Sequence, residues 1–252
     1  MPNETKQNNA SGQESEILAQ LLENLPSQTE IEVTVPSKNK FYTLLDPTKG
    51  ITLRPLTFED EKDLVSSKSA SSDLLNTLLT KCVTNIPVNQ ILQIDKLFLI
   101  MKIREMSYGD DYKASISCPS CNATNRVSFF LSELGVNYLE EDAQDPLEVE
   151  LPILKKKIKI RRPRVADEQY LLTSEKTLAN LWRFVEEIEG HTKKTIISEV
   201  VKQLPLRDAH TIINFLGGEE VGINTNVHFI CNYCDHSGDM TLPITGDFFT
   251  GN

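Results

Sequence analysis

The chain has 252 residues, 36 acidic against 26 basic, for a net charge of −10. That length holds one large domain or two of ordinary size, and 39% hydrophobic with 25% charged residues is the balance of a soluble globular protein. The acidity argues against a nucleic-acid surface, which needs a basic footprint, and no apolar run approaches the roughly 20 residues of a membrane span.

Residues 1–13 are polar, with almost no apolar content, and a disordered tail is expected there. Ile17, Leu18, Leu21, Leu22 and Leu25 then recur at helical spacing, an amphipathic segment that can dock on its own body or on a partner. The polar start carries no cleavable leader, so the protein is expected in the cytoplasm where it is made. Ile31-Glu32-Val33-Thr34-Val35 alternates as a strand until Pro36, and a turn-rich link leads to a second strand, Ile51-Thr52-Leu53-Arg54, which Pro55 stops. Thr57 is placed to cap a helix whose first turn holds Glu59, Asp60 and Glu61. A second helix follows from Ser72, with Leu74, Leu75, Leu78, Leu79 and Cys82 on one face. Asp95 is expected to cap a third, with Leu97, Phe98, Met101 and Ile103 recurring before Gly109.

The second half repeats this order. Leu147-Glu148-Val149-Glu150-Leu151-Pro152 echoes the first strand and its proline, and Ile158-Lys159-Ile160-Arg161-Arg162-Pro163 echoes the second. Asp167-Glu168 stands where Asp60-Glu61 stood, heading a helix expected to run to Glu189; two more helices are expected over 195–204 and 207–216. The fold class expected is α+β, a tandem repeat of β-hairpin, three helices and knuckle hairpin. The expected division is a tail and amphipathic helix over 1–26, a first repeat over 27–136, a linker over 137–146 and a second repeat over 147–252.

Each repeat ends on a Cys-x-x-Cys between alternating runs: Cys118-Pro119-Ser120-Cys121 and Cys231-Asn232-Tyr233-Cys234. Zinc takes four tetrahedral ligands and accepts thiolate sulfur readily, so two such turns facing each other form a closed structural site, zinc-ribbon-like, with Cys118, Cys121, Cys231 and Cys234 as ligands. The spacer far exceeds the usual ribbon insert of about 15–20 residues; a tandem duplication that places half a site in each repeat accounts for it. A redox dithiol belongs at a helix N-terminus after a strand, and these knuckles sit between strands. Paired disulfides suit a secreted chain and leave Cys82 over; Cys82 instead reads as a small buried hydrophobe on a helix face. Removing the metal is expected to cost the ribbon, and the joint between halves, rather than the whole fold.

No catalytic constellation accompanies the cysteines, and no enzymatic activity is expected. His191, His210, His228 and His236 are scattered; His236, just past Cys234, reads as a turn residue because four thiolates already complete the tetrahedron. There is neither a phosphate-binding glycine loop nor a Gly-x-Ser-x-Gly elbow. The basic run Lys155-Lys156-Lys157 with Lys159, Arg161, Arg162 and Arg164 reads as a hairpin turn leading into the outward face of an edge strand; its other reading is contact with an acidic partner.

Residues 33–40, Ile51-Thr52-Leu53-Arg54-Pro55-Leu56-Thr57-Phe58, residues 94–104, Ser107-Tyr108-Gly109 and the first knuckle together resemble the baseplate hub subunit family of T-even-type contractile-tailed bacteriophages. The likeness runs from Glu30 onward and is weakest before Ser27 and in the linker. It implies a protein needed to build the central hub of the tail baseplate, as component or assembly factor. The implied partners are other tail proteins, in the host cytoplasm during assembly or in the virion baseplate. The competing reading is a zinc-ribbon regulator that binds nucleic acid. Its affinity should fall steeply with salt, and the scarcity of basic residues near the knuckles (Lys113 and Arg126) weighs against it.

Overall fold

Local signals place most elements of the computed structural model, which describes residues 15–21, 29–46, 48–66, 71–217, 220–242, 244 and 248. Helix α1 covers residues 15–21 and leaves Ile17, Leu18 and Leu21 more than half exposed. The expected tail over 1–13 lies outside the described residues, as do Leu22 and Leu25. Strand β1 (Ile31–Val33) pairs antiparallel with β2 (Ile51–Leu53), Ile31 opposite Leu53. Helix α2 (Phe58–Ser66) begins with a reciprocal cap: the Asp60 N–H donates to Thr57 Oγ1 at 3.2 Å, and the Thr57 N–H to the Asp60 carboxylate at 3.0 Å. Helix α3 (Ser71–Cys82) buries Leu78, Leu79 and Cys82, and α4 (Gln93–Tyr108) buries Phe98, Leu99, Ile100, Met101 and Ile103. Gly109 ends α4 at a φ of 89°, a region that glycine enters without strain.

Asp95 does not cap α4. The helix starts at Gln93, and the fully buried Asp95 carboxylate instead accepts from the Ser37 N–H at 2.8 Å and from the Tyr42 hydroxyl at 2.5 Å. Two distant donors outcompete the helix's own first turn.

The knuckle hairpin β3 (Asp111–Ser117) and β4 (Thr124–Phe130) follows, then the short β5 (Val136–Asn137). The second half opens with β6 (Leu147–Glu150) and β7 (Lys157–Ile160), Leu147 opposite Ile160. The single helix expected from Asp167 to Glu189 is absent. In its place stand α5 (Glu168–Leu171), α6 (Ser174–Asn180), a 3-10 turn over Leu181–Arg183 and strand β8 (Val185–Ile188). Thr173 starts a new helix by accepting the Lys176 N–H at 3.2 Å, and β8 is drawn out by pairing with β7. Strand β7 is therefore central in a three-stranded sheet and not an edge. Its outward cations are matched by carboxylates on both neighbours, Lys157 with Glu148 at 2.8 Å and Lys159 with Glu187 at 2.9 Å. Helices α7 (Lys194–Lys202) and α8 (Leu206–Gly217) cover the sheet, β9 (Gly222–Ile223) pairs with β5, and β10 (Asn226–Ile230) with β11 (Ser237–Thr241) forms the second knuckle hairpin. The fold is α+β, helices with small antiparallel sheets.

Apolar side chains gather into two cores. One takes its members from α3, α4 and β3, and also holds Phe229, Cys231, Leu242 and Phe248 from the far end of the chain. The other holds Leu151, Ile158, Ile160, Phe184, Val185, Ile197 and Ile212. They are joined by residues 162–168. Val165 N–H donates to the Ile91 carbonyl at 2.8 Å, Arg164 reaches the carbonyls of Gln90 and Phe41, and Lys96, nearly buried, pairs with Glu168 at 2.7 Å. The Arg162 guanidinium lies 5.4 Å from the Phe41 ring and 5.6 Å from that of Phe215, a cation between aromatics of the two cores.

Matching details recur at the heads of the halves. Arg54 pairs with Asp60 and Arg161 with Asp167, each at 2.7 Å and each six residues on. The Arg54 N–H donates to the Cys82 carbonyl, and the Arg161 N–H to the Phe184 carbonyl, both at 2.9 Å.

Candidate metal centre

Each knuckle is a tight turn that its own backbone closes. In the first, the Asn122 N–H donates to the Cys118 carbonyl at 2.9 Å and the Cys118 N–H to the Ala123 carbonyl at 3.0 Å; in the second, the Cys231 N–H donates to the His236 carbonyl at 2.8 Å. The residue after each second cysteine must take positive φ, and the chain supplies Asn122 (57°) and Asp235 (54°), two types that tolerate the left-handed region.

The two turns meet. All four Sγ atoms of Cys118, Cys121, Cys231 and Cys234 lie within 4.8 Å of one another, with Cys118 to Cys234 at 3.7 Å and Cys121 to Cys231 at 3.8 Å. A tetrahedron of metal–sulfur bonds about 2.3 Å long has sulfur–sulfur edges of about 3.8 Å, so the spacing fits four thiolates around one ion. It is far beyond the roughly 2.05 Å of a disulfide, and the cysteines are free. Cys118 and Cys231 are buried and Cys121 and Cys234 exposed, so the centre sits at the surface with its inner pair anchored. Cys82 is buried elsewhere in the first core, and burial pushes its thiol up to about 12.

The sulfurs are also held from outside. The Ser120 N–H donates to Cys118 Sγ and the Tyr233 N–H to Cys231 Sγ, both at 3.4 Å. Asn125 joins the knuckles: its amide N–H donates to Cys231 Sγ at 3.5 Å, and its Oδ1 accepts from the Asn232 N–H at 2.8 Å. Burial alone would raise the Cys231 thiol, but these N–H groups outweigh it and hold it down at about 6. At Cys121 the Ala123 N–H pulls downward, but the hydrogen bond with the Cys234 thiol, partial desolvation and the Cys118 and Cys231 thiols together push it up to about 12. The two shifts run in opposite directions within one cluster, a conflict between neighbouring sulfurs that a bound cation relieves.

Further support comes from the hairpin bases. Arg104, on α4, donates to the Phe248 carbonyl at 2.7 Å and to the Gly109 carbonyl at 2.9 Å, and Tyr112 on β3 meets the Phe248 ring edge-on at 4.8 Å. These contacts fasten residues beyond the second knuckle to the root of the first. Asn125 and Arg104 were not legible as site residues: Asn125 looks like any polar strand position, and Arg104 like one polar residue in an apolar helix. His236 does not join the sulfurs, and His228 hydrogen-bonds Asp239 at 3.0 Å and Ser237 at 2.9 Å on the exposed hairpin face.

No helix among the described residues is long and apolar enough to cross a membrane. A protein-family model described as T4 bacteriophage base plate protein matches residues 27–250. No curated protein and no solved structure matches.

Proposed function

The chain belongs to the T4 bacteriophage base plate protein family, and from that membership we propose that it is a non-enzymatic component or assembly factor of the central hub of the tail baseplate. In this reading a structural zinc held by Cys118, Cys121, Cys231 and Cys234 fixes the surface offered to other tail proteins. Membership implies contact with tail proteins and a place in the virion baseplate; assembly in the host cytoplasm is part of the proposal. The observation that carries the metal is the convergence of four sulfurs from remote parts of the chain at tetrahedral spacing. Zinc is the ion of choice because it accepts four thiolates without a redox change. When bound, it supplies a cross-link on the order of 10 kcal/mol between hairpins that are marginal alone.

The halves are further proposed to be a tandem duplication, with the ion as the joint between repeats. Supporting it are the paired Arg54–Asp60 and Arg161–Asp167 contacts and the like-built knuckle turns.

Elemental analysis of the native protein tests the metal: about one zinc per chain is expected, and well under one in undamaged protein overturns it. Chelation should remove hydrogen-exchange protection from β3–β4 and β10–β11 while leaving it around Ile197 and Ile212. Loss everywhere, or nowhere, contradicts the proposed role of the ion. Mass spectrometry of purified virions, beside co-purification from infected cells, separates component from assembly factor. Tight, steeply salt-dependent nucleic-acid binding without tail-protein partners would replace this reading by the regulator.

A further inference from the structure

In both halves the turn after the first strand and its proline is pinned from below by a buried carboxylate. Asp95 accepts from the Ser37 N–H at 2.8 Å; Asp208, equally inaccessible, accepts from the Ile153 N–H at 2.7 Å and the Leu154 N–H at 3.0 Å. Each carboxylate lies in the first turn of a helix, and each reaches the residue that follows the proline, Pro36 or Pro152.

What covers the two turns differs. Over the first lies an extended stretch of the chain itself. The Leu139 N–H donates to the Pro36 carbonyl at 2.8 Å with its side chain buried, while Lys38 and Lys40 meet the Glu141 carboxylate at 2.5 and 3.4 Å. The second turn is bare. Ile153 is 48% exposed, Leu154 38% and Leu206, two residues before Asp208, 78%. Lys155, Lys156 and Arg207 flank them in sequence, exposed and without an ion pair among the described residues. In a chain of net charge −10 this is a local surplus of positive charge beside an apolar tip.

We propose that this turn is the docking site for an extended acidic segment of a partner protein, one carrying a large apolar side chain followed two residues later by a carboxylate, as Glu141 follows Leu139. Leu139-Glu140-Glu141 is the pattern for it, because that sequence already satisfies the equivalent turn of the first half. The carboxylate of Asp208 holds both backbone N–H groups in place beforehand, so little ordering of the turn opposes binding. The apolar tip supplies buried area, and the cations supply attraction and orientation that salt weakens. The assignment uses no cysteine; it rests on the correspondence of the two turns that the tandem reading supplies, and on the baseplate reading only for which particle the partner belongs to.

The test uses the intact purified protein and a fluorescent peptide of residues 136–144 of this chain, followed by anisotropy at low salt. Saturable binding between about 10 and 500 μM is expected, weakening with salt. It should weaken about tenfold or more, at least 1.4 kcal/mol, in a Lys155→Glu, Lys156→Glu variant or when both glutamates of the peptide are replaced by lysine. Zinc content read on the same preparation separates a failure here from a failure of the metal reading. No saturation by about 1 mM, or affinity indifferent to these charge reversals, overturns the proposal. So does loss of binding in a Lys38→Glu variant alone, which would mean that the peptide displaces its own copy from the first turn. Sedimentation that shows self-association abolished by Ile153→Ser, with no competition from the peptide, would hand the surface to a second copy of this chain.

Discussion

Replacing Asp95 with asparagine should change how stability depends on pH more than it changes the fold. The side chain has no solvent exposure and accepts from Ser37 and Tyr42; the Tyr42 hydroxyl in turn accepts the Leu92 N–H at 3.0 Å. Burial drives its carboxyl up to about 6, against the pull of those hydrogen bonds. A carboxyl whose folded value exceeds its unfolded value binds its proton more tightly in the fold. Its contribution is therefore complete below the unfolded value of about 3.9 and is lost as pH rises through about 6. The gap of about two units corresponds to about 3 kcal/mol. The substituted amide would still accept from Ser37, and it cannot titrate. Its loss of the Tyr42 bond is an offset common to every pH. Urea unfolding of both proteins between pH 4 and pH 7 should show the advantage of the natural protein over Asp95→Asn shrinking by about 2 kcal/mol across that window, with other carboxylates cancelling in the difference. An advantage flat to within about 0.5 kcal/mol, or one that grows with pH, refutes the reasoning.

The carboxylate of Asp167 behaves oppositely: burial would raise it, but Arg161 and the Arg164 N–H outweigh that and hold it low. Asp167→Asn should thus cost about 1–3 kcal/mol near neutrality, a cost that fades as pH falls through the carboxylate range, read by the same unfolding series. Phe184→Ala, at a fully buried position in the second core, should cost about 3–5 kcal/mol and loosen α7 and α8 before the first core, as seen by hydrogen exchange. Lys96→Met leaves Glu168 without its cation at the junction of the cores and should cost about 1–3 kcal/mol, most of it regained in the double variant with Glu168→Gln; a double-mutant cycle without coupling would count against that junction.

The hairpins were legible because alternation and Cys-x-x-Cys are local signals, and Thr57 with Asp60 announced the start of α2 for the same reason. Where the sequence misled, a distant partner had intervened. Asp95 ahead of an apolar helix looks like a cap, yet residues 37 and 42 claim its oxygens. Leu181, Phe184, Val185 and Ile188 satisfy a helical period as readily as the actual break into a turn and a strand, and only β7, itself masked by its lysines, decides between them. The four ligand candidates could be named from spacing, but Asn125, which ties one knuckle to the other, answers to a contact between residues more than a hundred positions apart.

The membership of Phe229, Leu242 and Phe248 in the core that residues 35–131 begin has a consequence for synthesis. Translation at about 5–20 residues per second places the arrival of Phe229 roughly 5–20 s after Leu131 has been made. Over that interval the nascent amino-terminal half lacks part of its interior and keeps greasy surface open to chaperones. Maturation of this polypeptide is consequently a late event, completed only once the segment from Phe229 to Phe248 has emerged to close that core.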